Sequence, residues 1–203
     1  MKVKQWHNLM QSFGLEKNQE TSEKLTKAYS EKQRHYHTFD HINACLKHLE
    51  KVRDLAEKPD EIEMALWFHD AIYKPLSSSN ELDSAVWAAK FLTDNHVKQK
   101  IIDRVYQLIM VTLHDGFTQT NDQALMIDID LTILGSPYET YQIFEKNIRK
   151  EYRLVPYFIY RKKRKEILQG FLKHDRIYRT NYFYELYETN ARENMSHAIS
   201  MLS

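Results

Sequence analysis

The sequence predicts an all-α fold in a single domain. Glycine and proline are scarce, with four of each in a chain of 203 residues, whereas leucine, glutamate, lysine, glutamine and alanine fill long stretches. That composition favours helices over a turn-rich β fold. Apolar residues also recur every three or four positions, which is the spacing of a helix with one buried face. No low-complexity linker divides the chain, so we expect one domain over residues 1–203.

Two amphipathic helices are predicted between residues 41 and 73. The first is expected to be capped by Thr38 or Asp40 and the second by Asp60. In the second helix, His69 shares the stripe of the apolar residues, so its side chain is expected to point inward. The apolar stripes comprise Ile42, Cys45, Leu46, Leu49 and Val52 in the first helix, and Ile62, Ala65, Leu66 and Tyr73 in the second.

The remainder of the chain also predicts helices joined by short connections. Proline is favoured in the first turn of a helix and glycine just beyond its end, and these signals set several of the boundaries. The predicted helices begin at Asn80, run from Val97 to a stop at Gly116, begin near Pro137, run from Pro156 to about His174, and cover residues 182–202.

One apolar segment, Ala124–Leu134, is compatible with either a buried strand or a buried helix. It contains two acids, Asp128 and Asp130. An unpaired buried carboxylate costs several kcal/mol, so we expect a positive partner for at least one of them.

Charge and cysteine content exclude several classes of protein. A net charge of +1 gives no general electrostatic reason for binding nucleic acid or an anionic membrane. The single cysteine, Cys45, excludes an intrachain disulfide framework and a multi-cysteine zinc site. The N-terminus lacks the apolar core of a signal peptide, and no uncharged stretch approaches the ~20 residues that span a bilayer. We expect a reducing, cytoplasmic location.

A His-Asp dipeptide occurs three times, and its context separates the copies. The pair His174-Asp175 lies between cations and is typical of a solvated surface. The pair His114-Asp115 ends a predicted helix, where the helix dipole favours histidine without any function. The pair His69-Asp70 lies in the apolar string "WFHDAIY", where a metal ion would compensate the carboxylate charge.

Further ligands for such an ion are available on neighbouring predicted helices. His41, the His69-Asp70 pair and Asp130 would place ligand groups on three helices and leave coordination positions open. Asp128 is the alternative to Asp130. A mixed imidazole and carboxylate set suits a divalent ion such as Mn, Fe, Co, Ni, Zn or Mg.

The ordered set His, His-Asp, Asp resembles the HD superfamily of metal-dependent phosphohydrolases. The strings "RHYHTFDHI", "ALWFHDAIY", "NELDSA", "DIDLTILG", "IRKEY" and "ARENM" are similar to a small bacterial branch described as predicted HD phosphohydrolases. This resemblance implies a compact HD-type helical bundle, with a metal-site core at about 34–135 and C-terminal helices at about 137–202 packing on it. It also implies His41, His69, Asp70 and Asp130 as the metal ligands.

The implied activity is hydrolysis of a phosphomonoester or phosphodiester by a metal-activated water. The substrate is then a small phosphorylated compound, with nucleotides among the candidates. Arg34 and His37 are candidates to bind the negative charge, unless they are surface or capping residues. Glu81 is a candidate to take a proton, although capping explains it almost as well. His114 is expected to line the pocket or to help hold a second ion.

Other interpretations of the sequence remain open. Arg149, Glu151 and Tyr152 form either a buried ion pair or a substrate contact. The basic run Arg161–Lys165 predicts a solvated helix face, with nucleic-acid binding as the alternative. A regulatory HD domain that binds metal or nucleotide without turnover is a further alternative. The many aromatic residues are expected in the core, with a homodimer surface or a base-stacking pocket as the minority interpretations.

Two other motif matches are rejected. The pattern Asp-x-Asp-x-Thr in "MIDIDLTIL" matches haloacid-dehalogenase-like phosphatases, but the residues that follow lack the strand-helix alternation of that fold. An EF-hand built on the same acids fails at Ile133, where the loop needs glycine.

Overall fold

The structure is a computed structural model that describes residues 2–114 and 118–202. The described residues form α-helices, short 3-10 helices and loops, with no strand, which confirms the all-α prediction. The α-helices of these described residues are α1 (Lys2–Ser12), α2 (Gln19–Ala28), α3 (Phe39–Lys51), α4 (Pro59–Phe68), α5 (Asn80–Asp94), α6 (Gln99–Met110), α7 (Asn121–Asp130), α8 (Tyr138–Glu151), α9 (Tyr157–Leu172) and α10 (Asn181–Met201).

The chain separates into two compact units, Met1–Met126 and Ile127–Ser203. Helix α7 begins in the first unit and ends in the second. The expectation of a single domain over the whole chain stays a prediction.

The N-termini of α3 and α4 show whether the predicted capping residues act as caps. Thr38 caps α3, because its side chain accepts a hydrogen bond from the backbone N–H of Asp40. The prediction that Asp60 caps the next helix is wrong: α4 begins at Pro59, and its N-cap residue makes no side-chain cap bond. Asp60 lies in the first turn instead, where its carboxylate pairs with Arg53 and a negative charge is favoured by the helix dipole.

The start of α5 at Asn80 is confirmed. The Asn80 side chain accepts a hydrogen bond from the Lys74 N–H at 2.9 Å and donates one to the Lys74 carbonyl at 3.0 Å. This pair of bonds closes the loop that links α4 to α5.

Helix α4 is the centre of the first unit. Every residue from Glu61 to Phe68 is buried, and the helix packs against α1, α3, α5 and α6. Its two buried acids are neutralised: Arg104 donates two hydrogen bonds of 2.6 Å to Glu61, and Arg53 contacts Glu63 at 3.1 Å. A helix that is buried all round belongs to the core, so the single apolar stripe predicted here understated its burial.

Helices α1 and α2 were not predicted from the sequence. Their apolar faces are short, since α1 buries Trp6, Leu9 and Met10 and α2 buries Leu25. The Trp6 ring contacts Trp67 of α4 edge to face, with 5.4 Å between the ring centroids. These helices are therefore held by tertiary packing rather than by a long repeating pattern.

The helix predicted over residues 97–116 is shorter than expected. Helix α6 ends at Met110, a 3-10 helix covers Val111–Leu113, and His114 follows in the left-handed region with φ 55°. The predicted stop at Gly116 and the Asp115 side chain lie outside the described residues.

The apolar segment Ala124–Leu134 is helical: α7 continues into a 3-10 helix over Leu131–Gly135. That 3-10 helix packs against α10, and the Tyr187 backbone approaches Gly135 so closely that an added Cβ would lie 2.6 Å from the Tyr187 carbonyl oxygen. The Asn194 side chain donates hydrogen bonds to the carbonyls of Leu134 and Ser136 at 2.8 and 2.9 Å. The strings "DIDLTILG" and "ARENM" thus contain residues that contact each other in the second unit.

The predicted starts of the last three helices are confirmed. Pro137 and Pro156 are the N-cap residues of α8 and α9, and α9 ends at Leu172, slightly before the predicted end. In the part of the chain that the structure describes, no helix combines the length and the apolar character that crossing a membrane requires.

Candidate metal centre

Three predicted ligands converge within the first unit. The Nε2 atoms of His41 and His69 lie 3.2 Å apart, and Asp70 Oδ2 lies 3.1 Å from His69 Nε2 and 3.4 Å from His41 Nε2. His41 stands in the first turn of α3, whereas His69 is the C-cap residue of α4 and Asp70 follows in a turn. Both histidines are buried, as predicted for His69, and the Asp70 side chain keeps 18% of its surface exposed.

The backbone of α4 fixes which nitrogen of His69 is available. His69 Nδ1 lies 3.0 Å from the Leu66 carbonyl oxygen, which can only accept a hydrogen bond. Nδ1 therefore carries a proton, and in the neutral ring Nε2 presents a lone pair towards His41 and Asp70. Metal-ligating histidines show the same arrangement, because the backbone bond holds both the tautomer and the ring orientation.

His41, His69 and Asp130 form a group that could hold a metal ion, since each offers one ligand atom within 4.8 Å of the other two. This group contains Asp130, the predicted residue, and does not contain its alternative Asp128. A set of two imidazoles and one carboxylate suits a borderline divalent ion, so the residues present fit such a metal.

The Asp128 carboxylate binds backbone and hydroxyl groups of the second unit. Its carboxylate is fully buried and accepts hydrogen bonds of 2.7 Å from the N–H groups of Arg179 and Thr180 and from the Thr180 hydroxyl. Burial raises the pKa of Asp128 to about 6 against the opposing effect of these bonds. The expected positive partner for a buried acid is here mainly a set of backbone N–H groups.

The charge of Asp70 is set by its neighbours. Burial raises the pKa of this carboxyl, but the charges of His69 and His37 and the hydrogen bonds from His41 and His69 outweigh burial and hold the pKa well below its usual range. Asp70 is therefore ionised at neutral pH. An ionised oxygen and an imidazole lone pair that face the same point are an arrangement that a cation or a proton stabilises.

Glu81 interacts electrostatically with Asp70 and with two further predicted residues, His114 and His37. Burial raises the pKa of Glu81, the charge of Asp70 raises it further, and His114 and His37 act in the opposite direction. His37 also acts on Asp70, where its charge lowers the pKa of that carboxyl. The partly exposed His37 ring stacks on Tyr73, with 4.1 Å between the ring centroids.

The position of His114 in the secondary structure differs from the one predicted from the sequence. It does not lie in the last turn of a long helix, since it follows the 3-10 helix with φ 55° and ψ 27°. A residue other than glycine in this left-handed region is strained, and such strain occurs frequently at functional sites. His114 is nevertheless the C-cap residue of that 3-10 helix, so both the helix-dipole explanation and a role in the site stay predictions.

Arg34 is buried and bonded to the protein rather than exposed for substrate. Its side chain has no exposed surface, and the guanidinium donates hydrogen bonds to the backbone carbonyls of Asp70, Ala71 and His37 at 2.6, 3.0 and 3.1 Å. The predicted binding of negative charge by Arg34 gains no support from these contacts. The signal for a backbone contact of this kind is absent from the sequence, because carbonyl oxygens are common to all residues.

The other candidate residues have local roles in the second unit. Arg149 donates to the carbonyls of Tyr152 and Val155 at 2.6 and 3.1 Å, and closes the end of α8. Glu151 is buried. These contacts favour a structural role for the "IRKEY" string over substrate contact.

The basic run and the third His-Asp pair lie at the surface or in ion pairs. Arg164 makes a two-pronged ion pair with Glu145, and Lys163 pairs with Glu166 at 2.9 Å. These pairs reduce the positive charge that the run Arg161–Lys165 offers to nucleic acid. His174 and Asp175 are exposed, as the interpretation of a solvated surface expects.

Scans of protein-family models, of curated proteins and of solved structures found no match to this chain. The resemblance to the HD superfamily stays a prediction that depends on the sequence strings and on the ligand order.

Proposed function

We propose that this protein is an HD-type metal-dependent hydrolase that cleaves a phosphoester. The observation that carries the proposal is the convergence of His41 Nε2, His69 Nε2 and Asp70 Oδ2 within 3.1–3.4 Å of one another. The two histidines are 28 residues apart in the chain, so the fold, and not local sequence, brings them together. Asp130 is the fourth proposed ligand.

Two of the proposed ligands, His69 and Asp70, have a further physical reason to bind a metal ion. His69 is held in the ligand tautomer by the Leu66 carbonyl, and the ionised Asp70 supplies the negative charge that a dication needs. A divalent ion bound there lowers the pKa of a coordinated water and polarises a phosphoryl oxygen. Mn, Fe, Co, Ni, Zn and Mg remain the candidates.

Residues near the proposed ligands suit two further tasks in phosphoester hydrolysis, namely proton transfer and contact with the phosphoryl oxygens. Glu81 is half-buried, and burial raises its pKa above the ordinary value, which makes the carboxylate a better proton acceptor. His37 is partly exposed, and its ring is held against Tyr73, so it is the better candidate of the two cations predicted to contact a phosphoryl oxygen. His114 is proposed to line the same pocket.

The substrate class follows from the resemblance and from the chemistry of the ligand set. A small phosphorylated compound is proposed, with nucleotides as the first compounds to test. The ligand set alone does not choose among phosphoesters, since pocket shape determines that selectivity.

The test begins with metal analysis of the purified protein. A panel of nucleotides and sugar phosphates is then assayed with the ion that is found. His69→Ala and Asp70→Ala are expected to lose metal and turnover together. His174→Ala and Asp175→Ala change an exposed His-Asp pair of the same chain and should retain both.

Two outcomes would change this assignment. Failure of the unmodified protein to bind any divalent metal would refute the metal site. Stoichiometric metal binding without hydrolysis of any phosphoester would favour the regulatory alternative, in which the domain binds metal or nucleotide without turnover.

A further inference from the structure

We propose that Arg34 is a positioning residue that fixes the turn carrying Asp70 and thereby sets the Asp70 carboxylate among the metal ligands. This inference rests on the proposed function, because it assigns a role within the same metal site. It replaces direct substrate contact by Arg34 with an indirect role through the backbone.

The guanidinium links two segments that each carry ligands. Its NH1 group donates to the carbonyls of His37 and Asp70, at 3.1 and 2.6 Å, and its NH2 group donates to the carbonyl of Ala71 at 3.0 Å. The first carbonyl belongs to the loop that enters α3 and so precedes His41. The other two belong to the turn that follows His69.

Asp70 needs such support more than the two histidines do. His41 lies within α3, and His69 continues the hydrogen bonding of α4 through its N–H bond of 2.8 Å to the Ala65 carbonyl. Asp70 lies beyond the helix, in a turn. Carbonyls at a helix C-terminus lack donors from the helix itself, and a cation placed there is favoured by the helix dipole.

The surroundings of Arg34 compensate for its burial. A buried charge is costly unless it is paired and hydrogen-bonded. Here Glu31 accepts a hydrogen bond from Nε at 3.0 Å, and the rings of Tyr29 and Tyr73 lie 5.2 and 5.4 Å from the guanidinium carbon. Cation–π contacts at these distances add to the hydrogen bonds. The arrangement holds the guanidinium plane in one orientation.

Lysine cannot reproduce this geometry. Arginine presents several donors in a rigid planar fork, whereas the lysine ammonium is a single point on a flexible stem. Arg34→Lys therefore keeps the charge but loses the simultaneous bonds to Asp70 and Ala71. The Asp70 carboxylate should then be less well placed for the metal.

The experiment measures Co²⁺ affinity by competition with a chelator, together with the visible absorption spectrum of the bound Co²⁺. Arg34→Lys is expected to bind Co²⁺ about 10 to 100-fold more weakly, the usual loss when a group that orients a ligand is changed. Its Co²⁺ spectrum should also change, because the carboxylate ligand is displaced.

Arg149→Lys is the matched control. Arg149 also donates to two backbone carbonyls, those of Tyr152 and Val155, and packs on an aromatic ring, that of Tyr160. Its described contacts include no proposed ligand. This variant should lose thermal stability comparably and keep the wild-type Co²⁺ affinity and spectrum.

Glu31→Gln gives a second variant in case Arg34→Lys does not fold. The Glu31 side chain is 43% exposed, so the change loosens the guanidinium without emptying its site. A several-fold loss of Co²⁺ affinity is expected, and wild-type affinity in a folded Glu31→Gln protein would then overturn the proposal.

The remaining outcomes separate this inference from the proposed function. A folded Arg34→Lys protein with wild-type affinity and spectrum overturns the role of Arg34 alone. Equal losses of affinity in Arg34→Lys and Arg149→Lys overturn it too, because a general loss of stability would explain both. Absence of Co²⁺ binding by the unmodified protein overturns the metal site and the role of Arg34 together.

Discussion

The Nε2 atoms of His41 and His69 face each other at 3.2 Å in a buried position. When His69 is neutral, its Nε2 presents a lone pair, and the two rings are then joined either by a hydrogen bond from His41 or by a cation that both rings bind. Asp70 Oδ2 adds a negative charge at 3.1 Å from His69. The choice between a proton and a metal ion is decided by measuring metal-linked stability.

We expect the free energy of unfolding to rise when divalent metal is added. A ligand that binds only the folded state, at about 100 times its Kd, stabilises the protein by about 2.7 kcal/mol. Thermal unfolding with each of the six candidate metals, and again after chelation, measures the effect. His69→Gln should remove it. Equal metal-induced shifts in the wild type and in His69→Gln would contradict a site at this histidine.

The two acids of "DIDLTILG" should respond differently to substitution. Asp128→Asn leaves one of the donors from Arg179 and Thr180 without its acceptor, and buried unsatisfied groups cost about 1–3 kcal/mol. Asp130→Asn should instead reduce metal affinity with a smaller change in stability. Urea unfolding and metal titration of both variants measure the two effects.

A reversed result would reassign the last ligand. Loss of metal in Asp128→Asn, with full binding in Asp130→Asn, would make Asp128 the ligand.

Gly135 is expected to tolerate no side chain. An added Cβ would lie 2.6 Å from both the Cβ and the carbonyl oxygen of Tyr187, so the backbone of α10 would have to move. We expect Gly135→Ala to lower the free energy of unfolding by about 1–3 kcal/mol or more. Chemical denaturation measures this change.

Gly170 supplies the matched control on α9. An added Cβ there has no heavy atom within 4 Å, and alanine is favoured over glycine in a helix by about 0.5–1 kcal/mol. Gly170→Ala should therefore stabilise the protein. Equal destabilisation by both substitutions would show that the close approach to Tyr187 is not the cause.

His48 should make stability fall in mild acid. Burial lowers the pKa of this histidine, and the positive charge of Lys51 lowers it further. The unfolded chain, with a histidine pKa of about 6.5, then binds a proton that the folded chain does not. The free energy of unfolding therefore decreases as the pH falls below about 6.5.

The measurement compares urea unfolding of the wild type and of His48→Gln between pH 7.5 and 5, values chosen to bracket about 6.5. The difference in stability between the two proteins should change across this range. A constant difference would mean that the His48 pKa is the same in the folded and unfolded chains.

Much of the fold could be predicted where a local signal sets the structure. Thr38 caps α3 and the prolines precede α8 and α9, because capping and proline geometry depend on neighbouring residues alone. Local signals failed where packing or an ion pair decides the structure. The segment Ala124–Leu134 carries no period that separates helix from strand, and Asp60 pairs with Arg53 instead of capping α4.

In the candidate site too, some features could be predicted from the sequence and others could not. His41, His69 and Asp130 could be chosen from residue type and order, because imidazoles and carboxylates are what a divalent ion binds. The contacts of Arg34 with Asp70 and Ala71 could not, because those acceptors are backbone carbonyls 36 and 37 residues away along the chain. The left-handed His114 was also missed, since the apolar run before it predicts a continuous helix.

The burial of α4 on all sides has a consequence for exchange with solvent. The His69 amide bonds to the Ala65 carbonyl at the end of this encased helix, so it should exchange its hydrogen for deuterium only in rare openings of the first unit. An imidazole anchored at such a place needs little reorganisation to receive an ion. The packing around α4 and the position of the His69 ring therefore depend on each other. A substitution that loosens this packing should also disturb the ligand cluster.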